Sequence, residues 1–191
     1  MLLYHGSSTG DLRILQPFTA DHGKPYVYLT TDSVSAGFYA ASMVERPYYW
    51  FPYGYDANGK PFYSELYPGA FPEAYQRKSG YLYACEADEK KLLRFASNPN
   101  TRLSTEPVAV MRCERIPDLY DWFLQQEKEG RLTIQRYSSF TQEALSIWHE
   151  MILEELRDAC STGSRDNSYA RFVQEKLPAI WSRFLRETET A

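Results

Sequence analysis

Three separated stretches hold residues whose types suit joint chemistry: His5-Gly6 directly behind the apolar run Met1-Leu2-Leu3-Tyr4, Tyr28-Leu29-Thr30-Thr31 with Tyr39 further on, and Glu106 ahead of Pro107-Val108-Ala109-Val110. A first strand needs neither His5 nor Gly6 for packing, because Gly weakens strands and a half-buried His must find hydrogen-bond partners. Tyr28 and Tyr39 stand eleven positions apart across what reads as a strand-to-helix turn. That spacing would bring the second ring back over the strand end, so that two aromatic faces flank one slot. A flat aromatic ligand would fit between them.

The elements that must position these residues follow from punctuation and periodicity. Residues 1–6 read as a first strand, 14–25 as a loop broken by Pro and Gly, and 26–31 as a second strand. Asp32 or Ser33 would cap a helix with Ala36, Tyr39, Ala40 and Met43 at three- and four-residue intervals. Asn58-Gly59 marks a hairpin turn between aromatic strands over 48–67. Residues 81–87 alternate as a strand. Residues 105–116 read as another with Glu106 at its head, Val108, Val110 and Arg112 on one face and Ala109, Met111 and Cys113 on the other. Three helices are expected: 117–129 with Pro117 near its first turn and Gly130 past its end, 140–159 capped by Thr141 with Leu145, Trp148, Ile152 and Leu156 on one stripe, and 167–187 bent at Pro178.

Strands first and helices last predict an α+β fold with a mixed, mainly antiparallel split sheet. The expected division is a core over 1–117 and a helical extension over 118–191 packed on it. The chain of 191 residues carries a net charge of −4 with no basic run, so a dedicated duplex binder is disfavoured. Cys85, Cys113 and Cys160 fit neither a disulfide framework nor a zinc spacing, and reduced thiols are expected. Without a signal peptide pattern or a long apolar window, the expected location is the cytoplasm and no membrane partner is expected.

The ordered set Tyr4-His5-Gly6, then residues 27–40, then 105–110 resembles the His-Tyr-Glu class of ADP-ribosyltransferases, the diphtheria-toxin and poly(ADP-ribose) polymerase type. The resemblance covers about 1–45 and 80–117. It implies NAD as substrate, cleaved between nicotinamide and ribose through an oxocarbenium-like transition state, with ADP-ribose passed to a macromolecular acceptor. It further implies that His5 bonds the adenosine ribose, that the Gly6 backbone holds the nicotinamide carboxamide, and that Tyr28 and Tyr39 sandwich the nicotinamide. A hydroxyl of Thr30 or Thr31 would bond the amide or orient Glu106. Glu106 would accept from the ribose 2′-OH and place negative charge beside the developing cation. No metal enters this scheme.

Departures from the pattern narrow it. Ser104 stands where arginine-modifying members carry an acid or amide, so arginine modification is disfavoured, and Pro107 removes a backbone donor beside Glu106. Glu114 is the second choice for the acid, and Glu86 lies on a strand too. Transfer of a 2′-phosphate would need more arginines than Arg13 near the His. Plainer readings stand beside these: His5 capping a strand, Tyr28 and Tyr39 as core aromatics, Glu106 and His22 solvated, His149 among helix carboxylates. A degenerate fold serving as an interaction module, with a protein partner on the C-terminal helices, is the alternative function.

Overall fold

The computed structural model describes residues 1–19, 23–41, 53–95, 98–161 and 166–189. His22, Met43 and the aromatic run over 48–52 lie outside them. The first strands are β1 (Leu2–Ser7), β2 (Ile14–Leu15), β3 (Phe18–Thr19) and β4 (Pro25–Thr30), followed by α1 (Ser33–Gly37), β5 (Tyr53–Tyr55), β6 (Pro61–Ser64) and α2 (Ala70–Tyr75). Then come β7 (Gly80–Glu86), β8 (Leu93–Phe95), β9 (Asn98–Ser104), β10 (Val108–Ile116), α3 (Leu119–Lys128), β11 (Thr133–Gln135), α4 (Gln142–Ala159), α5 (Ser168–Lys176) and α6 (Pro178–Glu189). The fold is α+β with an antiparallel main sheet and C-terminal helices.

The chain forms two compact units. The first comprises 1–43, 55–61 and 71–133; the second comprises 44–54, 62–70 and 134–191. Thus α3, which sequence groups with the helical extension, lies with the large sheet.

In the first unit the strand order is β2-β10-β7-β1-β4-β9-β8, with β3 paired to β4, and every ladder is antiparallel. Only residues 105–107 join β9 to β10, yet three strands lie between them in that order. Four Cα steps reach about 14 Å, whereas four strand spacings across a flat sheet span about 19 Å. The sheet must therefore curl. Two short strands complete the curl: β2 pairs with β10, β3 pairs with β4, and only Gln16 and Pro17 separate them. Sequence reads this stretch as loop because Pro17 hides the two-residue strands on either side.

Inside the curl, alternate residues of five strands form one buried cluster: Leu3, Leu15, Val27, Leu29, Tyr83, Cys85 and Val108. A bulge between Val110 and Arg112 shifts the β10 register, so that Cys113 lies opposite Tyr83. The face assignment expected for β10 consequently holds only up to the bulge: beyond it Cys113 joins the side of Val110, because the extra residue resets the two-residue period.

The other sheet face carries α1, which packs on β1, β7 and β4. Its seat depends on two glycines. A Cβ on Gly6 would lie 1.9 Å from the Ala36 carbonyl oxygen, and one on Gly80 would lie 2.4 Å from the Ala40 carbonyl oxygen. Asp32 caps α1, its carboxylate accepting from the Val34 and Ser35 N–H groups at 3.3 and 2.9 Å. The helix is shorter than expected, ending at Gly37, and Tyr39 lies in the turn behind it. The backbone over 36–40 lies against the glycines instead of continuing the spiral. Phe38 then stacks on Phe123 of α3 at 5.0 Å, with Tyr75 and Phe71 edge-on to the same ring.

Two helix ends also differ from expectation. Asp118 caps α3, accepting from the Tyr120 N–H at 2.9 Å, so Pro117 precedes the helix rather than opening it. Pro178 starts α6 outright. Leu177 between the two helices leaves the helical region at φ −132 and ψ 56, in keeping with the disfavour of helical backbone before Pro, so 167–187 is two helices and not one bent one. In the second unit α4, α5 and α6 bury Ile152, Leu153, Leu156, Tyr169, Phe172, Val173, Ile180 and Phe184 together. The hairpin β5–β6 turns at Gly59, φ +79, with Asp56 accepting from the Asn58 and Lys60 N–H groups.

Gly6→Ala should lower stability by about 3 kcal/mol, or roughly 6–12 °C in Tm for a chain of this size, because backbone must move. Gly59→Ala, where a Cβ meets nothing within 4 Å, is expected to cost about 1 kcal/mol from its positive φ alone. Thermal unfolding of both variants checks the order.

Candidate functional site

His5 sits where two strands part. β1 is laddered to β7 along its whole length, from Leu2 to Ser7. Its ladder with β4 consists of the single pair Tyr4 and Thr30. Beyond that pair the His5 ring bridges the strands, its Nδ1 2.8 Å from the Tyr28 carbonyl oxygen. A carbonyl can only accept, so Nδ1 carries the proton and donates. Burial disfavours the charged ring and holds the His5 pKa below the ordinary value of 6.5, an effect larger than the opposing pull of the Tyr28 carbonyl. The ring is therefore neutral near pH 7, and Nε2 is an acceptor, suited to a hydroxyl or N–H donor.

Tyr28 faces away from the buried cluster that takes Val27 and Leu29. Its ring meets Tyr26 edge-on at 6.2 Å and Phe18 at 5.6 Å. Phe18 is opposite Tyr26 across the β3–β4 ladder and is 50% exposed. These three rings form an aromatic platform along β4. Tyr39 is 45% exposed in the turn after α1, next to Ala40, whose backbone nitrogen lies 2.9 Å from a Cβ built on Gly6. Ring neighbours of Tyr28 include Phe18 and Tyr26.

Thr30 is buried, and its Oγ1 accepts from the Asp32 N–H at 3.2 Å. It supports the residue that caps α1. Thr31 ties β4 to β9, its N–H donating to the Asn100 carbonyl at 3.0 Å. Asp32 is itself held by Ser35, whose hydroxyl donates to Oδ2 at 2.5 Å and accepts from the Tyr55 hydroxyl at 2.8 Å.

Glu106 is exposed in the three-residue connection between β9 and β10. It does not head the strand as expected, because Pro107 has no N–H to offer a ladder and β10 begins at Val108. Ser104, itself buried, clamps the Glu106 backbone: its hydroxyl donates to the Glu106 carbonyl at 2.7 Å and accepts from the Glu106 N–H at 3.2 Å. The registers fix its neighbourhood. Tyr4 pairs with Thr30 and Val27 pairs with Ser104, so the Gly6 end of β1, the Tyr26 end of β4 and the Glu106 turn share one end of the sheet. The backbone of β1, β4 and β9 brings these pieces together from residues 5, 28 and 106.

The alternative acids lie elsewhere. Glu114 is exposed on β10 with Arg112 at 3.8 Å, and Glu86 is exposed at the end of β7. In the second unit His149 is half-buried with Nε2 3.4 Å from the Tyr137 hydroxyl. Among the described residues no group of three or more His, Cys, Asp or Glu side chains could hold a metal ion. No described helix is long and apolar enough to cross a membrane.

Sequence reasoning missed Phe18 as a neighbour of Tyr28 and Ser104 as the clamp on Glu106. The signals were a lone aromatic behind Pro17 and a Ser two positions before the acid, each too common to single out. Comparison with models of protein families, with curated proteins and with solved structures yields no match.

Because the folded pKa of His5 is depressed, the unfolded chain binds the extra proton first. The stability owed to neutral His5 is complete above about pH 6.5 and is lost as pH falls toward the lowered folded value. His5→Gln, which keeps a donor for the Tyr28 carbonyl, should flatten the dependence of Tm on pH between 7 and 5.

Proposed function

We propose that the chain is an NAD-dependent mono-ADP-ribosyltransferase acting on a macromolecular acceptor. The observation that carries this reading is the bond from His5 to the Tyr28 carbonyl at the point where β1 leaves β4, with Glu106 turned out at the same end of the sheet. In this reading Nε2 of His5 accepts from an adenosine ribose hydroxyl. The Gly6 backbone meets the nicotinamide carboxamide, and Tyr28 and Tyr39 offer faces to the pyridine ring.

The C–N bond between ribose and nicotinamide breaks, its electron pair leaving with the neutral nicotinamide. Positive charge gathers on the ribose carbon and ring oxygen, where the Glu106 carboxylate stabilises it while accepting from the 2′-OH. The acceptor nucleophile adds to that carbon and loses its proton. Water in the acceptor's place gives slow NAD hydrolysis.

A second reading, a binding module on a fold that has lost the reaction, draws support from Gly6. Its close contact with the Ala36 carbonyl gives that glycine a packing role that needs no ligand.

Incubation with labelled NAD separates the two. Nicotinamide release by the parent should fall on the order of a hundredfold in Glu106→Ala; equal release by both proteins would remove Glu106 from the reaction. NAD should also raise Tm, and His5→Ala should abolish the rise. A parent that neither releases nicotinamide nor gains stability with NAD is the module.

A further inference from the structure

On α4 the face opposite the buried residues carries Glu143, Ile147, Met151, Glu154 and Asp158, all exposed. At 100° per residue these five fall within one narrow stripe, diametrically away from Leu145, Ile152 and Leu156. Ile147 and Met151, one turn apart, are 58% and 52% exposed, two of the more exposed large apolar side chains described. Lone exposed apolar residues are ordinary. Two stacked on one stripe between carboxylates are a small patch with a charged rim, the layout of a peptide-binding helix face.

Glu143 suits the first turn of the helix, but the other two charges on this stripe break the rules that stabilise helices. Glu154 and Asp158 stand at i, i+4, where like charges repel. Both lie in the last two turns, where the helix dipole favours cations. The one basic residue of the last turn, Arg157, is engaged by Glu187 of α6. The flanking acids of α4 are satisfied within the unit: Glu150 by Arg183 and Glu155 by the Tyr169 hydroxyl at 2.9 Å. No cation of the described residues forms an ion pair with Glu143, Glu154 or Asp158. The helix thus keeps an unneutralised acidic rim that weakens it, a local inconsistency of the kind found where a surface serves binding.

We infer that the outward face of α4 docks a basic amphipathic segment, an apolar side chain or two seated on Ile147 and Met151 and Lys or Arg residues meeting Glu143, Glu154 and Asp158. A second copy of this chain is a poor occupant, since the same acidic rim would face itself. The inference is independent of the proposed reaction.

The probe is a fluorescein-labelled synthetic peptide with Lys and Leu repeating at helical spacing, followed by anisotropy against the full chain. Glu154→Lys with Asp158→Lys should weaken binding about tenfold or more. The same pair should leave Tm unchanged or higher, because one like-charge pair replaces another while cations near the helix C-terminus complement the dipole. Ile147→Ser with Met151→Ser should weaken binding about fivefold. Glu86→Lys with Glu175→Lys, the same charge change at exposed sites off the stripe, should shift it about twofold at most. Equal loss in the off-stripe pair, or no loss in the serine pair, would overturn the proposal. So would self-association of the parent that the serine pair abolishes.

Discussion

The Ala36 carbonyl oxygen rests where a side chain on residue 6 would begin, and the Ala40 carbonyl stands in the same relation to residue 80. Backbone against backbone at this distance permits nothing but glycine on the strand side. The contact sets the height of α1 above β1 and β7, and so the position of the turn that carries Tyr39. It also places Phe38 for its stack on Phe123. The cap on α1 reinforces the seat from the other end, through Thr30, Asp32, Ser35 and the Tyr55 hydroxyl in one continuous chain of hydrogen bonds. One layer of helix is thereby registered to the sheet to within a side-chain radius.

The sheet's own curvature supplies the second constraint. A three-residue link cannot cross a flat array of strands, so β9 and β10 approach only because the strands between them bend around the cluster of Leu3, Val27, Leu29 and Tyr83. Beyond their single shared pair β1 and β4 part, and His5 bridges them there. A neutral imidazole is what such a place tolerates: desolvation penalises the charged ring, and the strand carbonyl holds one tautomer. The Tyr83 hydroxyl shows the same principle on the inner face. It donates to the Thr9 carbonyl at 2.7 Å and accepts from the Leu12 N–H at 3.3 Å, and burial pushes its pKa up to about 12.

Elements with strong local signals were legible in the chain itself. The strand read over 81–87, the Thr141 cap with its apolar stripe, and Gly130 closing α3 with φ +76 all depend on neighbours in sequence. What escaped depends on partners far away. β2 and β3 are two residues each and exist only through β10 and β4, so no periodicity marks them. The bulge after Val110 reverses the faces of a strand whose composition is unchanged. At the candidate site, His5, Tyr28 and Glu106 could be picked out by type and order, and their share of one sheet end follows from ladder registers. The ring beside Tyr28 and the clamp beneath Glu106 could not, because Phe18 and Ser104 acquire those tasks only through tertiary placement.

The closing role of β10 bears on how the chain must assemble. Its partners β7 and β2 are complete by Glu86 and Leu15, yet during synthesis both wait with unpaired amide edges until Val108 and its successors emerge. Nascent chains stalled before that point present two open strand edges beside an unsealed apolar interior, the state in which sheet proteins stick to one another. Local hairpins such as β8–β9 form early; the pairing of β10 with β7 and β2 is the late, long-range event expected to set the pace of folding.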